Sequence, residues 1–225
     1  MGSSPLLYGV AVLRFHIFAA TVFLLGVFSS TTASAQRLLV FGDSLSAGYQ
    51  LPGSSAFPAV LERALRSRGW NVTVLNGSVS GDTASGGLQR LEWTLGDGAD
   101  AAIVQLGAND MLRGINPSIT ERALDEILSK LSVKKIPVLL VGMKAARGGG
   151  AFYNDRFDQI YPKLAAKHEV ALYPFFLEGV VEKRNLNLPD GLHPNREGVE
   201  AMVRGILPDV EKLIGKFPKK SLAQD

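Results

Sequence analysis

Cysteine is absent from all 225 residues. If the chain is exported it therefore folds without disulfides, and neither thiolate metal sites nor a lipid-modified cysteine is available to it. Histidine is scarce, with three in the whole sequence, at 16, 168 and 193. An excess of one charge is also missing: 24 basic residues face 21 acidic ones, and this near-balance gives no reason to expect a nucleic-acid partner. The sequence lacks a long hydrophobic run as well. Its uncharged, mostly apolar stretch, residues 17–28, has 12 residues, whereas a membrane-spanning helix needs about 20.

What is there divides at residue 35. Residues 1–35 carry a single charge, Arg14, then the apolar stretch, then small polar residues ending in Ala33-Ser34-Ala35. This is the layout of a secretory signal peptide with an A-x-A cleavage site, so the expectation is export with no stable membrane anchor left after cleavage. Cleavage after Ala35 would leave a domain over 36–225 with 23 basic and 21 acidic residues. Such a domain is large enough to bury about 70% of its unfolded surface around one core.

Beyond residue 36, short aliphatic runs alternate with segments of helical spacing. Candidate strands cover 37–41, 71–75, 101–106, 137–142 and 171–175. Phe57, Val60, Leu61, Ala64 and Leu65 share one helical face, as do Ile119, Ala123, Leu124, Ile127, Leu128 and Leu131, a helix that Asn116 caps and Pro117 opens. Further helices are expected over 152–168 and 196–214, the second kinked or split at Pro208. Strands that are apolar throughout imply a parallel sheet buried on both faces, hence a three-layer α/β/α sandwich around a five-stranded sheet.

In such open sheets ligands bind beyond the C-terminal ends of the strands, near the point where strand order reverses. Four of the five strands are followed by small polar clusters: Gly42-Asp43-Ser44, Asn76 to Thr83, Gly107-Ala108-Asn109-Asp110, and, after a loop, Pro189 to Pro194. Ser44 is either a helix cap or a nucleophile. A serine nucleophile needs a base, and the base needs a third group to orient it. His16 falls in the expected leader, and solvent with the helix dipole accounts for His168 near a helix C-terminus. That leaves His193 as base, with Asp190 three residues earlier to hold its tautomer. The Ser44 and Gly81 backbone N–H groups and the Asn109 amide are candidate oxyanion donors, although Gly81 also suits a plain turn and Asn109 a helix cap.

The blocks Gly42-Asp43-Ser44-Leu45, Ser80-Gly81-Asp82-Thr83, Gly107-Ala108-Asn109-Asp110 and Asp190-Gly191-Leu192-His193-Pro194 fall in the order of the SGNH, or GDSL, hydrolases, which the whole mature chain resembles. "FGDSLSAGY", "SGDTASGGLQRL" and "DGLHPNREG" most resemble that family's bacterial periplasmic branch of multifunctional acyl-CoA thioesterases, lysophospholipases and arylesterases. The resemblance implies a flavodoxin-like fold and periplasmic localisation. It implies cleavage of carboxylic esters and thioesters through an acyl-enzyme, lysophospholipids among the substrates. The implied roles are Ser44 as nucleophile, His193 as base and then acid, Asp190 as orienter, and Ser44, Gly81 and Asn109 as oxyanion hole, with no metal and no organic cofactor.

Two departures bear on acyl-chain preference: Ala108, where relatives often have glycine, and the run Gly148-Gly149-Gly150 in a loop that borders the substrate in relatives. Leu112, Ile115, Phe152, Tyr153 and Leu188 are the candidate acyl-groove residues. Asp43 and Asp110 are expected to brace turns, Trp70 and Trp93 to be packing residues, and Arg113 to be a solvated loop residue. The competing functions are a carbohydrate acetyl esterase on the same fold and a non-catalytic lipid- or nucleotide-binding module. No glycine-rich phosphate motif supports the nucleotide form of the latter.

Overall fold

A computed structural model describes residues 35–96, 98–146 and 150–215. The expectations for the leader and for Gly148 and Gly149 lie outside the described residues. Five parallel strands, β1 (Gln36–Gly42), β2 (Val72–Asn76), β3 (Ala101–Gln105), β4 (Val138–Val141) and β5 (Ala171–Tyr173), stand in the order β2-β1-β3-β4-β5. Chain order reverses beside β1, which pairs with β2 on one side and with β3 on the other, Val40 lying opposite both Asn76 and Ile103. The crevice that this reversal opens lies over the C-terminal ends of β1 and β3.

Both faces of the central strands are dry. Leu38, Leu39, Val40 and Phe41 on β1 and all five residues of β3 are buried, which explains why these strands read as continuous apolar runs rather than as alternations. Among the described residues there are eight helices: α1 (Ser44–Ala47), α2 (Phe57–Ser67), α3 (Ala84–Leu95), α4 (Ala108–Leu112), α5 (Pro117–Val133), α6 (Ala151–Asp158), α7 (Ile160–His168) and α8 (Arg196–Leu213). One layer packs α2 against α8, and the other runs from α3 through α5 to α7. Asn116 caps α5 as expected, accepting the Ser118 N–H.

Three local expectations are corrected. The helix over 152–168 divides at Gln159 into α6 and α7. Pro162 explains the break: it has no N–H for the carbonyl of Asp158, and its ring crowds that carbonyl. Pro208, expected to kink or split the last helix, does not split it and sits inside a continuous α8. Pro208 and Arg204, whose carbonyl loses its helical partner, are both exposed, so water can satisfy the freed oxygen. Trp93 is 84% exposed on α3, whereas Trp70 is buried and donates to Glu211 as a packing residue with a polar handle.

Helix α3 itself is not announced by apolar spacing, because its inner face consists of Ala84, Gly87, Leu91 and Leu95. Gly87 fits this close packing. A Cβ at that position would come within 2.5 Å of Leu106 and 3.4 Å of Phe41, so the glycine lets α3 lie close against the sheet.

Candidate active site

β1 ends at Gly42 and α1 begins at Ser44, with Asp43 between them as N-cap; the Asp43 carboxylate accepts the Leu45 N–H at 3.1 Å. Capping is thus done by the aspartate, which leaves the Ser44 hydroxyl free for another partner. That partner is His193, whose Nε2 lies 2.9 Å from Ser44 Oγ across 149 residues of sequence. The other ring nitrogen, Nδ1, lies 2.7 Å from Asp190 Oδ2. With the ring hydrogen on Nδ1, directed at the carboxylate, Nε2 is an acceptor for the serine proton.

The loop that carries Asp190 and His193 is held by its own backbone. Asp190 Oδ1 accepts the N–H groups of Leu192 (2.9 Å) and His193 (3.0 Å), while Leu188 N–H donates to the His193 carbonyl at 2.7 Å. An antiparallel bridge between Asn187 and Pro194 closes the neck of the loop, and Asn195 caps α8 immediately beyond it. Asp190 thus caps its own turn, and the same turn aims the imidazole.

Asn109 lies in the first turn of α4, after β3, and donates one amide hydrogen to the Asp82 carbonyl at 2.9 Å. Its second amide hydrogen remains for a ligand. Neither the Ser44 nor the Gly81 N–H finds an acceptor among the described residues. The Gly81 loop is strapped to α4 at two further points: Arg113 donates to the Gly81 carbonyl at 2.8 Å, and Asp110 accepts the Ala84 N–H at 2.8 Å while also taking the Thr120 hydroxyl. Arg113, expected to be merely solvated, is exposed but acts as a strap. Arg90 supports the loop from below, pairing with Asp82 and donating to the carbonyls of Gly42 and Gly77.

The two aspartates beside Ser44 and His193 lie in opposite surroundings. Burial pushes the Asp43 carboxyl up to about 7 despite the Leu45 N–H and the Gln105 contact, and the carboxylates of Asp110 and Asp82 push in the same direction. At Asp190 burial also acts upward, but the N–H groups of His193 and Leu192 and the imidazole outweigh it and hold the carboxyl below its ordinary range. Asp190 is thus a stable anion beside the imidazole.

A cavity of about 60 Å³ opens beside Ser44 and His193, walled by Leu45, Ala108, Asn109, Met111, Leu112, Met143, Leu177 and Leu192. Of the groove residues expected from sequence, Leu112 is part of this wall. Ile115 and Tyr153 instead bond to each other, the Tyr153 hydroxyl donating to the Ile115 carbonyl, while Phe152 is 75% exposed on α6 and Leu188 is engaged by its backbone in the His193 loop. Sequence reasoning missed Met111, Met143, Leu177 and Leu192, and also Tyr49, whose ring lies on His193. Met111 and Met143 each follow a strand closely at the C-terminal edge, which was the available signal. Larger clefts lie elsewhere, including one of about 490 Å³ near the start of β4, but Ser44 and His193 line neither it nor the other clefts. Among the described residues no cluster of His, Asp and Glu could hold a metal ion.

Serine, imidazole and carboxylate in hydrogen-bonded series, at the switch point of a five-stranded parallel sheet and beside free N–H donors, define a serine hydrolase. The chain belongs to the GDSL-like lipase/acylhydrolase family, whose model matches residues 40–201. It is 42% identical over 170 residues to an arylesterase of Vibrio mimicus, covering 75% of this chain and 85% of that one. Over 166 residues it is likewise 42% identical to thioesterase 1/protease 1/lysophospholipase L1 of Escherichia coli strain K12, covering 73% and 78% of the two chains. The crystal structure of TesA superposes with a TM-score of 0.76 at 35% identity, covering 79% of this chain and 99% of that one.

Proposed function

We propose that the protein hydrolyses carboxylic esters and thioesters through an acyl-enzyme on Ser44, aryl esters, acyl-CoA and lysophospholipids being its substrate classes. As Ser44 Oγ bonds to the acyl carbon, its proton passes to His193 Nε2. Asp190 holds the imidazole through Nδ1 and stays ionised beside the imidazolium. The carbonyl oxygen gains the displaced electron pair and is met by the N–H groups of Ser44 and Gly81 and by Asn109 Nδ2. The imidazolium then protonates the departing alkoxide, phenoxide or thiolate. Water repeats the sequence to release the acid.

The observation that carries this reading is the 2.9 Å contact from Ser44 Oγ to His193 Nε2, continued at 2.7 Å from Nδ1 to Asp190. The names of the relatives support the range of substrates. The signal-peptide layout of residues 1–35 supports export, most simply to a bacterial periplasm, with the mature domain beginning at residue 36. A second reading, a carbohydrate acetyl esterase, is favoured by the small cavity, whose volume of about 60 Å³ suits a short acyl group.

Ser44→Ala tests the nucleophile. The variant is expected to melt like the wild type and to lose on the order of 10⁴ to 10⁶ in kcat on a p-nitrophenyl ester. Turnover near the wild-type rate would remove the assignment. Comparing decanoyl and acetyl p-nitrophenyl esters, lysophosphatidylcholine, an acyl-CoA and an acetylated xylan separates the two substrate readings.

A further inference from the structure

The Tyr49 ring lies on the imidazole of His193, with centroids 4.4 Å apart and planes inclined at 34°. Tyr49 is 38% exposed and stands outside the buried core cluster, so its ring is not there to fill the interior. Its hydroxyl makes no hydrogen bond among the described residues, so the contact is made by the ring. We infer that Tyr49 is a positioning residue for His193, covering one face of the imidazole and stabilising the imidazolium that forms when Ser44 gives up its proton. This inference rests on the proposed role of Ser44 as nucleophile.

The backbone places the ring deliberately. Helix α1 starts at Ser44 and ends after one turn at Gly48, which takes a left-handed φ of 83° beside Ala56. A Cβ at Gly48 would lie 2.5 Å from the Ala56 Cβ, so glycine both permits the turn and allows the close approach. The next N–H, that of Tyr49, donates to the Ser44 carbonyl at 3.3 Å. Nucleophile and ring are therefore tied to one short element, and any shift of α1 moves both together relative to His193.

The chemistry is that of a cation meeting an aromatic face. Asp190 takes the ring edge at Nδ1, Ser44 takes Nε2, and Tyr49 takes a face, leaving the His193 side chain 19% exposed. When the proton moves from Oγ to Nε2 the imidazole becomes positive, and the electron-rich ring attracts it more strongly than it attracts the neutral form. That preference acts on the transition state and not on substrate binding, so it changes kcat and leaves KM alone.

The test compares Tyr49→Phe, Tyr49→Leu and Tyr49→Met with the wild type by steady-state turnover of p-nitrophenyl acetate and by the rate of covalent labelling with a p-nitrophenyl phosphonate. The phenylalanine variant should stay within about twofold of the wild type. Both aliphatic variants should lose about 3- to 30-fold in kcat and in labelling rate, with KM and melting temperature unchanged, as expected for loss of a cation–π contact. Aliphatic variants as fast as the wild type, a phenylalanine variant as slow as the aliphatic ones, or a change in KM alone would each overturn the inference. If the wild type itself fails to label at Ser44, the underlying nucleophile assignment falls, an outcome distinct from equal labelling of all four proteins.

Discussion

Among the described residues are two histidine–aspartate pairs with nearly the same contact distance. His193 Nδ1 lies 2.7 Å from Asp190, and His168 Nε2 lies 2.6 Å from Asp125. Both imidazoles are mostly covered, with side chains 19% and 11% exposed. They differ in what surrounds the pair. Asp190 belongs to the same short loop as its histidine and receives two of that loop's N–H groups, while the second nitrogen of His193 faces a serine hydroxyl. Asp125 stands on α5, joins His168 across to α7, and is also held by Lys167, which reaches both of its oxygens at 2.7 Å. Lys167 first, and His168 after the opposing effect of burial, hold its carboxyl below the ordinary range. No hydroxyl among the described residues bonds to the second nitrogen of His168. An imidazole on a carboxylate is a common structural tie, and a hydroxyl on its far nitrogen makes it a base.

The comparison can be broken by substitution. The largest expected effect is that of His193→Ala, which should lower kcat by about 10⁴-fold or more with little change in melting temperature, measured by ester turnover and calorimetry. Next comes Asn109→Ala: losing one oxyanion donor should lower kcat by about 10² to 10³, roughly 3 kcal/mol, with KM nearly constant. Equal kcat in that variant would mean that the amide serves only to hold the Asp82 carbonyl.

Asp43→Asn sharpens the contrast between the carboxylates on the two sides of Ser44. A carboxyl raised to about 7 in the folded state binds a proton that the unfolded chain has released, so its contribution to stability is complete at low pH and is lost as pH rises through 7. Urea unfolding at about pH 5 and about pH 8 should show the wild type losing roughly 2 to 3 kcal/mol more than the asparagine variant. Parallel losses would show that Asp43 is ionised throughout. The smallest effect is that of His168→Ala, expected to lower stability by about 1 kcal/mol while leaving kcat unchanged. A large fall in turnover there would erase the distinction between the pairs.

How much of this was legible in the sequence depends on how local the signal is. The central strands and their parallel pairing could be read because burial on both faces leaves unbroken apolar runs, as in Ala101 to Val104. Helix α3 could not, because close packing replaced large residues with Ala84 and Gly87 and left Trp93 on the outside. The positions of Ser44, Asp190 and His193 could be read because each directly follows a strand or a turn signal. The partner of His168 could not, since Asp125 lies 43 residues away on another helix and neither spacing nor composition marks the contact. The acyl cavity was hidden for the same reason: Met111, Met143 and Leu177 come from three separate segments and converge only in the folded chain.

Mass spectrometry of the intact protein, followed by peptide mapping after treatment with diethyl p-nitrophenyl phosphate, tests the central claim most directly. One diethylphosphoryl group on the peptide containing Ser44, absent from Ser44→Ala and strongly slowed in His193→Ala but not in His168→Ala, is the predicted result. A label elsewhere, no label on the folded protein, or equal labelling in both histidine variants would contradict the account.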